Sequence, residues 1–267
     1  EHLRAENGAG AVKRSDADYA ALAAMAGTLD ADIVALQEVD GPQAAARVFD
    51  PARYDFHFSD RRHVQRTGFA VRKGLSVIAD KDFVALGLDG SVRYGTDITV
   101  EVDGVALRLL AVHLKSFCFE KPLASPGNAC EKLSRQVLIL ESWIDQRTLE
   151  NVPFVVLGDF NRRFNVPGDE FFAEIDDGDP AGLELTRVTE GRLSGCLDSR
   201  YPQYIDHIVL DEQSAAFLLP NSFRQINISE AEAERHKLSD HCPIAVDLDV
   251  SKTTESATGN THHHGGT

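Results

Sequence analysis

A β-rich α/β domain is what this sequence predicts, on three observations. Short apolar runs with strand character recur along the chain, and stretches with helical spacing stand among them. Ile98 to Val102 and Ala106 to His113 flank Asp103-Gly104, a strong hairpin signal. No internal repeat or linker divides the 267 residues, so 1–250 reads as one domain and 251–267 as a disordered, low-complexity tail. His262, His263 and His264 in that tail read as a tag remnant or solvated segment.

The elements follow in order. Glu1 to Arg14 is polar and contains glycines, and reads as a loop after an upstream element. From Ser15, an N-cap candidate, Tyr19, Leu22, Ala23, Met25, Ala26 and Leu29 recur at helical spacing. Ile33-Val34-Ala35-Leu36 is a short buried strand that ends in Gln37-Glu38. Tyr54 to Phe58 and Thr67 to Val71 alternate as strands, and Leu75 to Phe83 is a further one. Phe117 to Lys132, with Pro122, Pro126 and Gly127, is a long loop, and long loops are often functional. Leu133, Gln136, Val137, Leu140, Trp143 and Ile144 mark an amphipathic helix. Phe154-Val155-Val156-Leu157 is a strand buried on both faces, stopping at Gly158-Asp159-Phe160-Asn161. A short helix around Glu170 to Ile175, a strand from Tyr204 to Leu210 and a closing strand from Ile244 to Leu248 complete the chain.

Composition narrows the function. Hydrophobic content of 43% with 26% charged residues is ordinary for a globular protein with a sizeable core. No apolar run is long enough to span a membrane. The formal charge of −15 argues against a protein that coats nucleic acid nonspecifically, because phosphate binding is driven by Lys and Arg. A nucleic-acid enzyme remains compatible where divalent cations or a local basic strip offset the field. The four cysteines form no CxxC pair and no zinc-finger spacing. On count alone, disulfides and buried free thiols stand as equal readings.

Polar side chains recur where apolar strands stop. Asp159 and Asn161, two apart at a strand end, project to one side and converge on one point. A carboxylate there can bind a hard cation or hold a water, and an amide can donate to a phosphate oxygen. An Asx-turn explains the same two residues equally well. The same signature appears at Gln37-Glu38, His113, Asp206 and Asp240-His241. Turn chemistry accounts for any one of the five, and poorly for all of them.

These stretches resemble the endonuclease/exonuclease/phosphatase superfamily. The matching segments are Asp32 to Val39, Leu110 to Ser116, Gly158 to Asn161, Tyr204 to Ile208 and Ser239 to Pro243, in the family's order. The resemblance implies a four-layered α/β sandwich, two mixed β-sheets packed face to face with helices outside. It implies Glu38 and Asp240 as holders of a divalent cation, Mg²⁺ or Mn²⁺, with Ca²⁺ as an alternative structural ion. Asp159 and Asn161 then orient the attacking water and the phosphate, and His241 is the catalytic histidine held by Asp206. His113 falls where the pancreatic-deoxyribonuclease-like branch places a second histidine. Counting back from Phe69 to Arg72 puts Gln65 where those enzymes partner that histidine with Glu. The family's first strand carries an Asn just before the point where this sequence opens, so the first strand reads as truncated.

The function this implies is a metal-dependent phosphodiester hydrolase, a nuclease acting on DNA and in second place RNA. Arg72, Lys115, Arg162 and Arg163 are the expected phosphate-binding groups, and no stable protein partner is implied. The alternatives are a phosphomonoesterase, a sphingomyelinase-type phospholipase or a non-catalytic binding protein. Cys118 and Cys130 lie twelve apart in one irregular loop, so a bridge closing it is expected. Cys196 and Cys242 adjoin the stretches of Asp206 and His241, whose implied pairing makes a second bridge the expectation. Two bridges place the enzyme outside the cytoplasm, secreted or periplasmic, with any export signal upstream.

Overall fold

The computed structural model describes residues 14–196 and 201–251. The readings of 1–13 as a loop after a truncated strand and of 252–267 as a tail lie outside the described residues. Helix α1 (Asp16–Leu29) begins at a capping box: the Ser15 hydroxyl accepts from the Asp18 amide, and the Asp18 carboxylate accepts from the Ser15 amide. After β1 (Ile33–Val39) come a short helix α2 (Pro42–Ala45), β2 (Tyr54–Phe58) and β3 (Arg66–Arg72). Then follow β4 (Ser76–Ala79), β5 (Thr96–Val102), β6 (Val105–His113), α3 (Asn128–Leu149) and β7 (Phe154–Asp159). The chain ends in α4 (Glu170–Ile175), β8 (Leu185–Arg187), β9 (Asp206–Asp211), α5 (Glu212–Ala216), β10 (Arg224–Gln225), α6 (Glu230–Arg235) and β11 (Ile244–Ala245).

Three elements differ in extent from the sequence reading. The strand expected over Leu75 to Phe83 is paired only from Ser76 to Ala79, at the edge of its sheet, and Phe83 resumes with a single bridge to Gly95. The closing strand is paired at Ile244 and Ala245, with one further bridge from Leu248 to Leu218. The loop expected to reach Lys132 stops at Gly127, whose φ of +118° turns the chain into α3, so Cys130 lies on the first turn of a helix.

The strands form a six-stranded sheet in the order β4-β5-β6-β7-β9-β8, a three-stranded sheet β1-β3-β2 and a pair β10-β11. In the six-stranded sheet β6 and β7 run parallel and the other neighbours antiparallel, which makes it mixed. Phe69 and Val71 of β3 pack with Ile98, Leu109, Val155, Ile208 and Leu210, which joins the two sheets through an apolar layer. On the other face of the large sheet, Leu133, Val137, Leu140 and Ile144 of α3 cover Leu110, Val112, Phe154 and Val156. Strand β7 is therefore covered on both sides, which is why its apolar run is unbroken. Leu36 and Val39 pack with Ala44, Ala45, Phe49 and Ala26 outside the small sheet. The layers are helix, sheet, sheet, helix. Along β1 a cavity of about 520 Å³ is lined by Leu29, Ile33, Leu109, Val155, Ile244 and Val246, and it reaches Asp206 and His241.

Candidate active site

Register builds the centre of the site. His113, the last residue of β6, lies opposite Asp159 at the end of β7, and Asp159 lies opposite Asp206 at the start of β9. Three polar side chains therefore stand in one row across three hydrogen-bonded strands. Gly158 makes the approach of the second sheet feasible. Its φ is +131°, and a Cβ there would lie 2.3 Å from the Val112 carbonyl oxygen and 2.8 Å from Gln37 Nε2 on β1.

Asp159 is buried and clamped. Its Oδ1 accepts from the Asn161 amide at 2.7 Å, and its Oδ2 accepts from Asn161 Nδ2 at 2.7 Å. Asn161, at φ +53°, also donates from Nδ2 to the Leu114 carbonyl at 3.2 Å. The Asx-turn and the convergent pair are thus the same structure. Because both amide hydrogens of Asn161 are used within the protein, it holds Asp159 in place and does not reach outward as a phosphate donor. Burial first, and then the negative charge of Asp206, raise the Asp159 pKa to about 7.

The two histidines have opposite environments. His241 Nδ1 lies 2.8 and 3.0 Å from the two oxygens of Asp206. The Asp206 charge raises its pKa to about 10 against the opposing effect of burial, and Asp159 and Asp240 add to the rise. His113 Nε2 lies 3.3 Å from Asp159 Oδ2. Burial pushes the His113 pKa well below its usual value, and the charges of Arg93 and His241 push the same way. One imidazole is held cationic and the other neutral. His207, next to Asp206, is structural: Nδ1 meets the Thr189 hydroxyl at 2.7 Å, Nε2 meets the Arg162 carbonyl at 2.8 Å, and the ring stacks on Phe164.

Several expected site residues lie elsewhere. Gln65 does not partner His113; its Nε2 donates to Glu38 Oε1 at 2.5 Å, and His113 Nδ1 is buried without a partner among the described residues. Glu38 sits at φ +58° where the β1–β3 register shifts, which turns its side chain out of the strand's alternation. Arg72 belongs to the far end of β3, where it pairs with Asp30 at 2.8 Å and Asp32 at 2.5 Å. Arg162 is fully buried: it pairs with Asp169 at 2.5 Å and donates to the carbonyls of Cys118 and Lys121, each at 2.7 Å. Both are structural cations, because their donors are used inside the fold. Arg163 is paired to Glu120 at 2.7 Å. Lys115 stays near the row, its pKa lowered by burial and then by Arg93.

Arg93 is the residue that sequence reasoning missed. It precedes β5 in a segment with no strand-end signature, and it donates through Nε to the His113 carbonyl at 3.1 Å and through Nη2 to the Leu114 carbonyl. Burial lowers its pKa to about 10, opposed by the charges of Asp159 and Glu38. It is a half-buried cation whose charge acts on the carboxylates of Asp159 and Glu38. The signal available in sequence was only its isolation, an Arg between Val92 and Tyr94 in a glycine-flanked turn.

Asp159, Asp206 and His241 offer ligand atoms all within 4.8 Å of one another. Such a site can coordinate a divalent metal, and its oxygen-rich donors suit a hard cation such as Mg²⁺ or Mn²⁺. The donor chemistry fits as well: burial first and then the Asp206 charge disfavour the Asp159 carboxylate, a deficit of positive charge that a cation would supply. Glu38 and Asp240, the ligand pair expected from sequence, are not in this cluster. Asp240 is exposed beside His241.

A layered α/β sandwich that gathers carboxylates and histidines at the strand ends of one sheet suits a metal-dependent hydrolase of phosphoester type. The endonuclease/exonuclease/phosphatase family profile matches residues 6–241, and the chain belongs to that family. Among solved structures it is similar to Danio rerio TDP2 complexed with a single-strand DNA product, at 21% identity and a TM-score of 0.63, covering 89% of this chain and 93% of that one. It is also similar to mannosyl-6-phosphatase Bt3783 of Bacteroides thetaiotaomicron, at 18% identity and a TM-score of 0.58, covering 92% and 97%. A Bacteroides vulgatus endonuclease/exonuclease/phosphatase matches at 16% identity and a TM-score of 0.60, covering 87% and 90%. At these identities the likeness is one of fold. No curated protein matches the sequence significantly.

Proposed function

We propose that the chain is a divalent-metal-dependent phosphodiesterase, a secreted or periplasmic nuclease of the deoxyribonuclease-like branch that cleaves DNA and, more slowly, RNA. The observation that carries this reading is the row of His113, Asp159 and Asp206 across three strands, with one histidine against Asp159 and the other bonded to Asp206. A diester needs both a base for the attacking water and a proton donor for the departing alkoxide.

Asp159, oriented by Asn161, accepts the proton of the attacking water. His241, kept cationic by Asp206, donates toward the phosphate oxygens or the leaving oxygen. Neutral His113 holds Asp159 from the neighbouring strand. Arg93 and Lys115 offset the charge of the bound phosphate. The cluster carboxylates Asp159 and Asp206, flanked by Glu38 and Asp240 whose charges act on Arg93 and His241, would hold the cation, which would supply charge neutralisation at phosphate and lower the pKa of a bound water. His241, being cationic with Nδ1 committed to Asp206, is ill suited to ligate metal in spite of its place in the cluster. Two disulfides support the extracytoplasmic location, because such bonds persist in oxidising compartments.

The test is a substrate panel with the oxidised protein: plasmid DNA, RNA, inositol phosphates and sphingomyelin, each with Mg²⁺, Mn²⁺ or EDTA. Metal-dependent cleavage of DNA is the expected result. Phosphate release from monoesters alone would transfer the site to a phosphomonoesterase, and phosphocholine release alone to a phospholipase.

A further inference from the structure

Beside the row lies a surface of which the hydrolytic chemistry uses only Lys115. Phe117, four residues beyond His113, is 70% exposed and held at φ +73°, a conformation that a bulky residue adopts only when its neighbours enforce it. Phe119 meets it edge to face, with ring centroids 6.1 Å apart. Lys115 Nζ lies 5.3 Å from the Phe117 ring. The Arg163 guanidinium lies 5.4 Å from the Phe119 ring and 4.8 Å from the ring of Tyr201, which is 54% exposed. Three rings and two cations thus form one outward-facing patch.

The patch is built on a rigid base. Cys118, between the two phenylalanines, is buried and bonded to Cys130 on α3. Buried Arg162 ties down the carbonyls on both sides of the bend, those of Cys118 and Lys121, and the Arg163 amide donates to the Phe119 carbonyl at 2.9 Å. It is continuous with the site: Leu114 is hydrogen-bonded to Asn161, and Arg163 follows Asn161 by two residues. In a chain of net charge −15, the groups against these rings are Lys115 and Arg163, with Glu120 as the acidic neighbour.

We propose that Phe117, Phe119 and Tyr201 form a stacking platform for an unpaired nucleobase of the substrate, with Lys115 and Arg163 facing the flanking phosphates. The proposal rests on the nucleic-acid reading above and refines it: among DNA substrates, single strands and frayed ends bind more tightly than intact duplex, since bases inside a duplex cannot reach a protein ring. Aromatic faces accept any base, so the platform confers preference for single strands without sequence preference.

The experiment compares wild type, Phe117→Ala, Tyr201→Ala and Phe117→Trp on oligothymidylate, on an abasic strand of equal length and on duplex DNA. Each alanine variant should raise KM for oligothymidylate about tenfold, in line with the loss of one base–ring stack. The loss falls on KM rather than kcat, and KM for the abasic strand stays constant. Phe117→Trp should restore KM, and its fluorescence should be quenched by oligothymidylate but not by the abasic strand. Equal loss on abasic and base-bearing strands, or no loss while wild type cleaves both, overturns the platform. If wild type cleaves no nucleic acid, the nuclease reading fails, and the Phe117→Trp quenching still decides the platform by itself. Sedimentation with sphingomyelin vesicles that depends on Phe117 overturns it in favour of membrane docking.

Discussion

His113 and Asp159 face each other across adjacent parallel strands, Nε2 to Oδ2 at 3.3 Å, and neither is charged in the ordinary way for its residue type. The imidazole is neutral because burial and two nearby cations disfavour its charge. The carboxylate titrates near 7 because burial and Asp206 disfavour its own. Around neutral pH the imidazole is therefore uncharged, and of the two groups it is Asp159 whose charge is poised to change.

That arrangement makes Asp159 the most sensitive position of the row. Asp159→Ala, His241→Ala and Asp206→Ala should each lower kcat by about 10²–10⁴, as removal of a positioned acid or base does. Circular dichroism should stay native, since none of the three contributes apolar packing. A variant that keeps most of its turnover sinks the role assigned to that residue.

Cation binding should be proton-linked. A carboxylate whose folded pKa is raised to about 7 favours the neutral form. Its contribution to stability is fully present below the unfolded pKa and lost as pH rises toward 7. A divalent cation competes with that proton, so below pH 7 its Kd should weaken by up to about tenfold per pH unit. Thermal shifts with Mg²⁺ at pH 5 and pH 8 read this directly: the larger shift belongs at pH 8. Glu38→Gln, which keeps shape and removes charge, should raise the Mg²⁺ concentration needed for half-activation. Activity that persists after exhaustive chelation refutes the metal requirement.

His241 carries a linkage of the same sign over a higher pH window. Its folded pKa of about 10 exceeds the unfolded value, so its charge stabilises the fold fully below about 6.5. That contribution is lost as pH rises through 10. Asp206→Asn removes the largest cause of the shift. An NMR titration of the His241 ring should then move toward the ordinary histidine range, and the decline of stability between pH 7 and 10 should flatten. An unchanged His241 titration in that variant means that Asp206 does not set its charge.

The legibility of the chain followed physical lines. The row at His113, Asp159 and Asp206 could be read because β-strand ends announce themselves as an apolar run meeting a polar residue. The helix at Ser15 could be read because capping uses local bonds. What failed depended on partners remote in sequence. Arg72 and Arg162 look like any other basic residues near a motif, and only the fold shows that Asp30, Asp32 and Asp169 already hold them. Counting back from Phe69 to Arg72 places Gln65 as the partner of His113, but the register shift between Leu36 and Val39 brings Glu38 to it instead. Arg93 was missed for the same reason: its partners are carbonyls about twenty residues away.

The two arginines give a sharp contrast. Arg162→Gln breaks a buried ion pair and orphans two carbonyls, and should cost about 3–5 kcal/mol in denaturant unfolding. Arg93→Lys keeps a cation but cannot span both the His113 and Leu114 carbonyls. It should cost less in stability and more in kcat/KM. Equal effects on both readouts at both positions would erase the distinction between a structural and a functional cation.

The last prediction concerns Cys196–Cys242. Cys242 is buried next to His241 and packs with Leu22, Ile228 and Leu238, so the bridge fixes the segment that presents the catalytic imidazole. Cys118–Cys130 instead closes a short loop onto α3, and on the chain-entropy view it stabilises by roughly 3 kcal/mol. The two should therefore separate by readout. Cys118→Ser/Cys130→Ser should lower the unfolding midpoint with kcat largely kept, because His113 and Asp159 are held by strand register. Cys196→Ser/Cys242→Ser should lower kcat as well, and its His241 titration should shift as the contact with Asp206 loosens. Peptide mapping of the non-reduced protein first verifies both bonds. If the second double variant keeps wild-type kcat, the bridge supports the fold alone, and Asp206 by itself suffices to position His241.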